Sequence, residues 1–445
     1  MTAYTRKTND KNRKRVVITG FGAVTPLGNN IAESWQSLIQ GKSGIGPITV
    51  FDPSRYPVKI AAEVKNFDFK NGIPEDLYPF LGRSTQFCIH AAREALKHAG
   101  LDTKVMDTTN IGISLGSNEE GMYLSQWDRL YESKTIKEHI EMRHENPQGS
   151  IPYPHLEAST HLGQIWTLRK AAHMAANILS ILFNIQGPVR TSTGACASSA
   201  QAIGKAMRLI QDSDAEVVLT GGCDSMLCEF SIAGFHRLRA LSRNNESPEK
   251  ASRPFDLKRD GFVLGEGSGI LVLEELSHAK KRNAAIYGEL MGYGSSSNAY
   301  SITASPEDGR GADICMKAAL RDAGCSVEDV DYINAHGTST YLNDKSETAA
   351  IKNVFKDRAY EIPVSSNKSM LGHLIASAAA IELIMSVMTI NEKVIPPTIN
   401  YENPDPECDL DYVPNEPRSK KVETILSNSF AFGGQNASVL VQKYQ

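Results

Sequence analysis

A chain of 445 residues with 41% hydrophobic content can bury a large core or two packed subdomains, and a net charge of −4 excludes nucleic acid or an anionic membrane surface as its main partner. The seven cysteines, at 88, 196, 223, 228, 315, 325 and 408, are odd in number and form no C-x-x-C pair; this excludes a disulfide framework and a zinc site of ordinary spacing, and predicts a reduced, cytoplasmic protein. Neither an apolar run of about 18 residues nor the apolar core of a secretory signal stands out, so no membrane span is predicted.

Residues 1–15 are polar and basic, with RKTNDKNRKR at 6–15, and read as a solvated leader. Val16 to Phe21 then reads as a buried strand, and the glycines and proline of GAVTPLGNN lead into a helix at 31–39. Gly20 and Gly22 begin a dinucleotide-type G-x-G, but Thr25 stands where the third glycine is required, so that motif fails. A helix at 84–100 and a short buried strand at 111–116 follow. Residues 123–170 lack regular patterning and carry His139, His144, His155 and His161 among prolines; their spacing fits no metal-ligand pattern and predicts a surface insertion or cap at about 123–175.

In GPVRTSTGACASSAQAIGKAMRLIQ, from 187 to 211, Ala200, Ile203, Ala206, Met207 and Ile210 recur at helical spacing, while Thr191 to Gly194 fit a strand end and a tight turn. Cys196 falls at the junction. There the helix dipole and free N–H groups are expected to lower its pKa from about 8.5, although a free cysteine is also a common buried core residue. EVVLTGG at 216–222 and ILVLEE at 270–275 read as buried strands, and the alternating Gly265, Gly267 and Gly269 suit close packing rather than a phosphate loop. AAREALKHAGL at 91–101 and CMKAALRDAGC at 315–325 are similar helices, each followed by a buried strand. This predicts a duplicated α/β arrangement, with an N-terminal half at 16–275 and a C-terminal half at 276–445.

The second half supplies polar loops beside buried strands. NAHGTST places His336, Thr338 and Thr340; SSNKSMLGH places Lys368 and His373, the latter opening a helix at 374–390; NSFAFGGQN places Phe430 and Phe432. One Cys, two His and one Lys admit a thiol-dependent hydrolase, but no G-x-C-x-G elbow surrounds Cys196. Two neutral imidazoles donating to an oxyanion or enolate suit carbon–carbon bond formation from thioesters. Taken singly, His336 could satisfy a loop and Lys368 could form a surface ion pair with Glu347.

Together these motifs, with VVITGFG at 16, SRPFD at 252, RDGFVLGEG at 259 and PPTIN at 396, resemble the β-ketoacyl synthases, most closely the type II elongating enzymes that condense acyl and malonyl units on acyl carrier proteins. The resemblance implies a thiolase-like α/β/α/β/α fold of five layers. It implies that Cys196 takes the acyl chain and that His336 and His373 assist malonyl decarboxylation and stabilise the enolate. Lys368 is implied as an electrostatic partner, with Glu347 and Asp344 in support. Backbone N–H groups of Cys196 and Phe432 would form an oxyanion hole, Phe432 would act as a gate beside Gly433 and Gly434, and Thr338 and Thr340 would bind the pantetheine arm. Phe235, Phe430 and Glu119 are assigned to the acyl pocket, with Glu119 in place of a small or aliphatic residue at its floor. Ala431, Gln435 and Asn298 are further departures from the usual pattern. No metal or permanent cofactor is implied, since the phosphopantetheine belongs to the acyl carrier protein. The partners implied are that carrier and a second subunit, in a homodimer or in a heterodimer with a chain-length-factor-like homologue. The departures open a type II polyketide or polyene ketosynthase as an alternative; a carrier-binding scaffold without condensing activity is the alternative of another class.

Overall fold

The computed structural model describes residues 13–70, 72–119, 121, 123 and 168–445. Most of the expected leader and insertion, with His139, His144, His155 and His161, lies outside the described residues. Ten strands form one sheet system: β1 (Val16–Val24), β2 (Ile111–Ser117), β3 (Val189–Ser192), β4 (Val217–Ser225), β5 (Glu266–Glu275), β6 (Gly288–Ser297), β7 (Tyr332–Asn334), β8 (Val364–Ser365), β9 (Thr424–Phe430) and β10 (Gln435–Gln442), in the order β8-β7-β9-β10-β6-β1-β5-β4-β2-β3. The helices are α1 (Ile31–Ile39), α2 (Arg83–Ala99), α3 (Met174–Leu182), α4 (Ser198–Gln211), α5 (Glu229–Arg237), α6 (Leu276–Lys281), α7 (Ala312–Ala323), α8 (Tyr341–Phe355), α9 (Lys368–Leu371) and α10 (Ala378–Glu392).

The strand order divides into two copies of one arrangement. In the set β1 to β5, the first strand pairs antiparallel with the last and the last antiparallel with the fourth, while the fourth runs parallel to the second and the second parallel to the third. The set β6 to β10 repeats every one of these relations. The copies meet at the short antiparallel contact of β1 with β6, from Val16↔Leu290 to Ile18↔Gly288.

Helix packing repeats as well. A Cβ at Gly20 or Gly22 of β1 would fall on the carbonyl oxygens of Ala95 and Ala91 in α2, and one at Gly292 or Gly294 of β6 on those of Ala319 and Cys315 in α7. The glycine pair near the N-terminus therefore admits a helix backbone rather than a nucleotide. Both helices end on a left-handed glycine, Gly100 (φ 65°) and Gly324 (φ 68°). α2 and α3 cover the outer face of the first sheet, α7 and α8 that of the second, and the buried faces of α4 and α10 share the core between the sheets. The result is five layers, α/β/α/β/α, as expected of a thiolase-like fold.

The segment Ile375–Glu392 has a mean hydropathy of 1.3 over 18 residues, enough by length and composition to cross a membrane, so the expectation that no such run exists was too strict. It is 83% buried in the layer between the sheets, which accounts for its apolar composition.

Candidate active site

The two central helices begin in the same way. Cys196 lies in a 3₁₀ turn, Ala195–Ala197, ahead of α4, and a matching turn, Ile375–Ser377, precedes α10. Ala195 (φ 47°) and Ile375 (φ 43°) both adopt the left-handed conformation, which is costly for a residue with a side chain and most of all for a β-branched one. These turns bring Cys196 and His373 face to face, with His373 Nε2 3.0 Å from the Cys196 Sγ. His336 follows β7, and its ring lies 5.3 Å from that of His373, edge to face. The donor atoms of Cys196, His336 and His373 all fall within 4.8 Å of one another, a set that would offer a thiophilic metal three ligands.

Hydrogen bonding sets the proton on His373. The Ile375 N–H donates to its Nδ1 at 3.3 Å, so in the neutral ring Nε2 carries the hydrogen and points it at the sulfur. Burial and the Lys368 cation hold His373 well below the ordinary histidine range; the same two causes and His373 itself do so for His336. Both imidazoles are therefore neutral near pH 7 and act as N–H donors. His336 keeps a buried Nδ1 with no hydrogen-bond partner among the described residues.

The thiol departs from expectation. Burial pushes Cys196 up to about 12, against the Lys368 cation and the backbone N–H groups of Phe432 and of Cys196 itself, which favour the thiolate. A start-of-helix position lowers a thiol only where water or cations also solvate the charge, and Cys196 is 6% exposed. The resting pair is thus neutral thiol beside neutral imidazole.

Lys368 is buried and pairs with Glu382 of α10, not with Glu347. The resemblance implied Glu347, but its carboxylate is taken up by backbone donors, the N–H groups of His336 (2.8 Å) and Gly337 (2.7 Å), and by Asn428 Nδ2 at 3.3 Å. Burial pushes Glu347 and Glu382 each up to about 7. Asp344 accepts the Phe255 N–H at 2.8 Å and lies 3.7 Å from Arg259, and burial raises its pKa against that cation. Glu347 and Asp344 thereby shape the His336 loop and its neighbour from beneath. A lone acid in the apolar run IASAAAIELIMSVM was the available signal for Glu382, because a buried carboxylate requires a partner.

A cavity of about 260 Å³ opens onto these groups. Phe235, Phe430, Phe432, Gly433, Gly434, Thr338 and Thr340 line it, and the two threonine hydroxyls lie 2.9 Å apart. Glu119 does not line it: β2 ends at Ser117, Asn118 turns to the cavity and Glu119 is exposed. Phe262 of the RDGFVLGEG motif lines the cavity too, as do Met226 and residues 301–305, which no sequence signal marked. Asn298 and Gln435 both bond at the loop of residues 431–435. Asn298 N–H donates to the Gly434 carbonyl at 2.8 Å, Gly433 N–H to that of Ile302 at 2.7 Å, and Gln435 Oε1 accepts from Gln201 Nε2 at 2.8 Å.

Family models described as the N-terminal and C-terminal domains of beta-ketoacyl synthase match residues 13–279 and 287–402. A protein of Coxiella burnetii named 3-oxoacyl-[acyl-carrier-protein] synthase 2 is 42% identical over 438 residues, covering 97% of this chain and 99% of that protein. Among solved structures, a type II PKS acyl-carrier protein in complex with its ketosynthase bound to the hexaketide (AntDE:AntF) aligns with a TM-score of 0.81 at 33% identity, over 97% of this chain and 100% of that one. The ishigamide ketosynthase/chain length factor gives the same TM-score of 0.81 and 33% identity, again over 97% and 100%.

Proposed function

The chain belongs to the β-ketoacyl synthase family, and from that premise we propose that it catalyses decarboxylative Claisen condensation of an acyl group on Cys196 with malonyl-acyl carrier protein. The observation that carries this reading is the meeting of one thiol and two neutral imidazole N–H donors at a single cavity. Cys196 Sγ attacks the acyl thioester and expels the phosphopantetheine thiol, which takes the proton that the cysteine gives up. The Phe432 and Cys196 N–H groups, already directed at the sulfur, receive the oxyanion of this step. Malonyl thioester then loses CO2. The electron pair left behind is an enolate whose oxygen His336 and His373 stabilise, and neutral donors suit this task because they need not lose a proton. The enolate carbon attacks the acyl carbonyl, sulfur departs as a thiolate that takes a proton from water to restore the resting thiol, and a β-ketoacyl chain two carbons longer leaves on the carrier. No permanently bound cofactor enters this scheme.

The acyl carrier protein is the proposed partner at the surface beside α5. Phe235 lines the active cavity, and just beyond it the exposed Arg237, Arg239 and Arg243 surround a second concavity with His236 and Asp260. Such a cluster suits an acidic protein. The proposed subunit contact is the edge strand β3, whose Val189 and Arg190 are exposed. The seven cysteines are all free thiols, which supports action in the cytoplasm. The two ketosynthase structures aligned at 33% identity support a second reading, the catalytic subunit of a type II polyketide or polyene system with a chain-length-factor partner. The test is extension of saturated and polyunsaturated acyl carrier proteins by the purified chain. Extension of saturated substrates by the chain alone supports fatty-acid elongation, activity only with a second subunit supports the polyketide reading, and no condensation in either format contradicts both.

A further inference from the structure

Asp224, at the end of β4, is 2% exposed and takes no part in the chemistry above. One oxygen, Oδ2, accepts two bonds from different parts of the chain: Asn118 Nδ2 at 3.0 Å and the Ala376 N–H at 3.1 Å. Asn118 stands just past β2 and lines the active cavity. Ala376 sits inside the strained 3₁₀ turn that follows His373, next to the Ile375 N–H that fixes the His373 tautomer. A single carboxylate therefore ties the cavity wall of the first half to the turn that orients an imidazole of the second.

The structure assigns Asp224 the role of a positioning residue for the proposed condensation, holding the Ile375–Ser377 turn and the Asn118 wall in register around Cys196. This rests on the reading of Cys196 as the acyl-bearing nucleophile. A buried carboxylate retained beside a nucleophile that must become negative is otherwise counterproductive, since its charge opposes the thiolate. The groups facing the thiol are Asp224 from β4, Lys368 from α9, His373 ahead of α10, His336 after β7 and the Phe432 N–H. Of these, Asp224 alone raises the thiol by its charge.

The test compares Asp224→Asn with Asp224→Ala in the full chain, reading the pH midpoint of iodoacetamide alkylation at Cys196 together with kcat and KM for acyl transfer from an acyl carrier protein. Both variants lose the charge that opposes the thiolate, so both midpoints fall. Asparagine keeps an acceptor oxygen and holds kcat within about threefold of wild type, whereas alanine frees the turn and lowers kcat roughly tenfold or more with KM for the carrier unchanged. A general loss of folding would expose Cys196, drop its midpoint toward the free-thiol value of about 8.5 and bring the other buried thiols into alkylation, so modification confined to Cys196 marks the folded variants. Asn118→Ala provides a second arm: it leaves Ala376 bonded to Asp224, so the alkylation midpoint stays in place while KM for the acyl substrate rises. The inference is overturned by wild-type kcat in Asp224→Ala, by an equal fall in Asp224→Asn, or by unmoved midpoints. Wild-type protein that fails to acylate at Cys196 defeats the proposed function instead.

Discussion

Replacing Glu382 with leucine isolates the buried Lys368–Glu382 pair. Lys368 is 1% and Glu382 2% exposed, so neither charge has water to fall back on once its partner is gone. Breaking such a pair from one side costs about 3–5 kcal/mol, whereas removing both charges, as in Lys368→Met with Glu382→Leu, leaves an apolar contact and restores most of that loss. The two side chains touch, so the cycle of single and double variants is expected to be strongly non-additive. Urea unfolding of the four proteins measures it through the midpoint at constant slope. Lys368→Met also removes the cation that favours the thiolate, so alkylation of Cys196 shifts to higher pH. A Glu382→Leu protein within about 0.5 kcal/mol of wild type, the range of ordinary surface changes, or a double variant equal to the sum of the singles, would refute the reasoning.

Further outcomes follow from the same geometry. An unfolded chain protonates histidine at about 6.5, while burial and Lys368 keep His336 and His373 neutral well below that value in the fold. Their contribution is present above about pH 6.5 and lost as pH falls beneath it, so a His336→Asn, His373→Asn protein shows a flatter acid limb in urea midpoints measured from pH 7 to 5; an unchanged limb contradicts the assignment. Ala195→Gly relieves a left-handed backbone worth about 1–2 kcal/mol against an entropy cost of about 0.5–1 kcal/mol. It is therefore expected to leave stability unchanged or up to about 1.5 kcal/mol higher, and a loss of about 0.5 kcal/mol or more would show that the turn is unstrained. His336→Ala lowers condensation by roughly a hundredfold or more, as removal of one preorganised oxyanion donor does, and spares acyl transfer to Cys196; rapid-quench measurement of each half-reaction separates the two.

Much of this arrangement can be read from the chain itself because its strands are local apolar runs and its reactive residues sit where those runs end. Val16–Phe21, Ile111–Gly116 and Glu216–Gly222 announce themselves, as do the paired helices ending at Gly100 and Gly324, and the repeat of those helices anticipates the repeat of strand order. What escapes is whatever depends on which elements the fold lays side by side. Glu347 and Glu382 both lie within about two dozen residues of Lys368, and only the fold decides between them, turning Glu347 toward the His336 and Gly337 amides and giving Lys368 to Glu382. Asp224 and Asn118 look like ordinary strand-end polar residues until strands β2 and β4 are laid side by side, Ser117 opposite Cys223. The helix-start argument for an acidic Cys196 failed for a related reason, since burial is a property of the assembled layers and outweighs one helix terminus.

The central claim is that Cys196 carries the acyl chain between two half-reactions. Intact-mass spectrometry of the purified chain tests it most directly, with acyl carrier protein added first and malonyl carrier protein second, in wild type and in Cys196→Ala. The account predicts an acyl adduct on wild type alone, mapped to Cys196, that disappears as a ketoacyl carrier two carbons longer forms. An adduct that persists in Cys196→Ala, or one discharged as free acid without a condensed product, would contradict it.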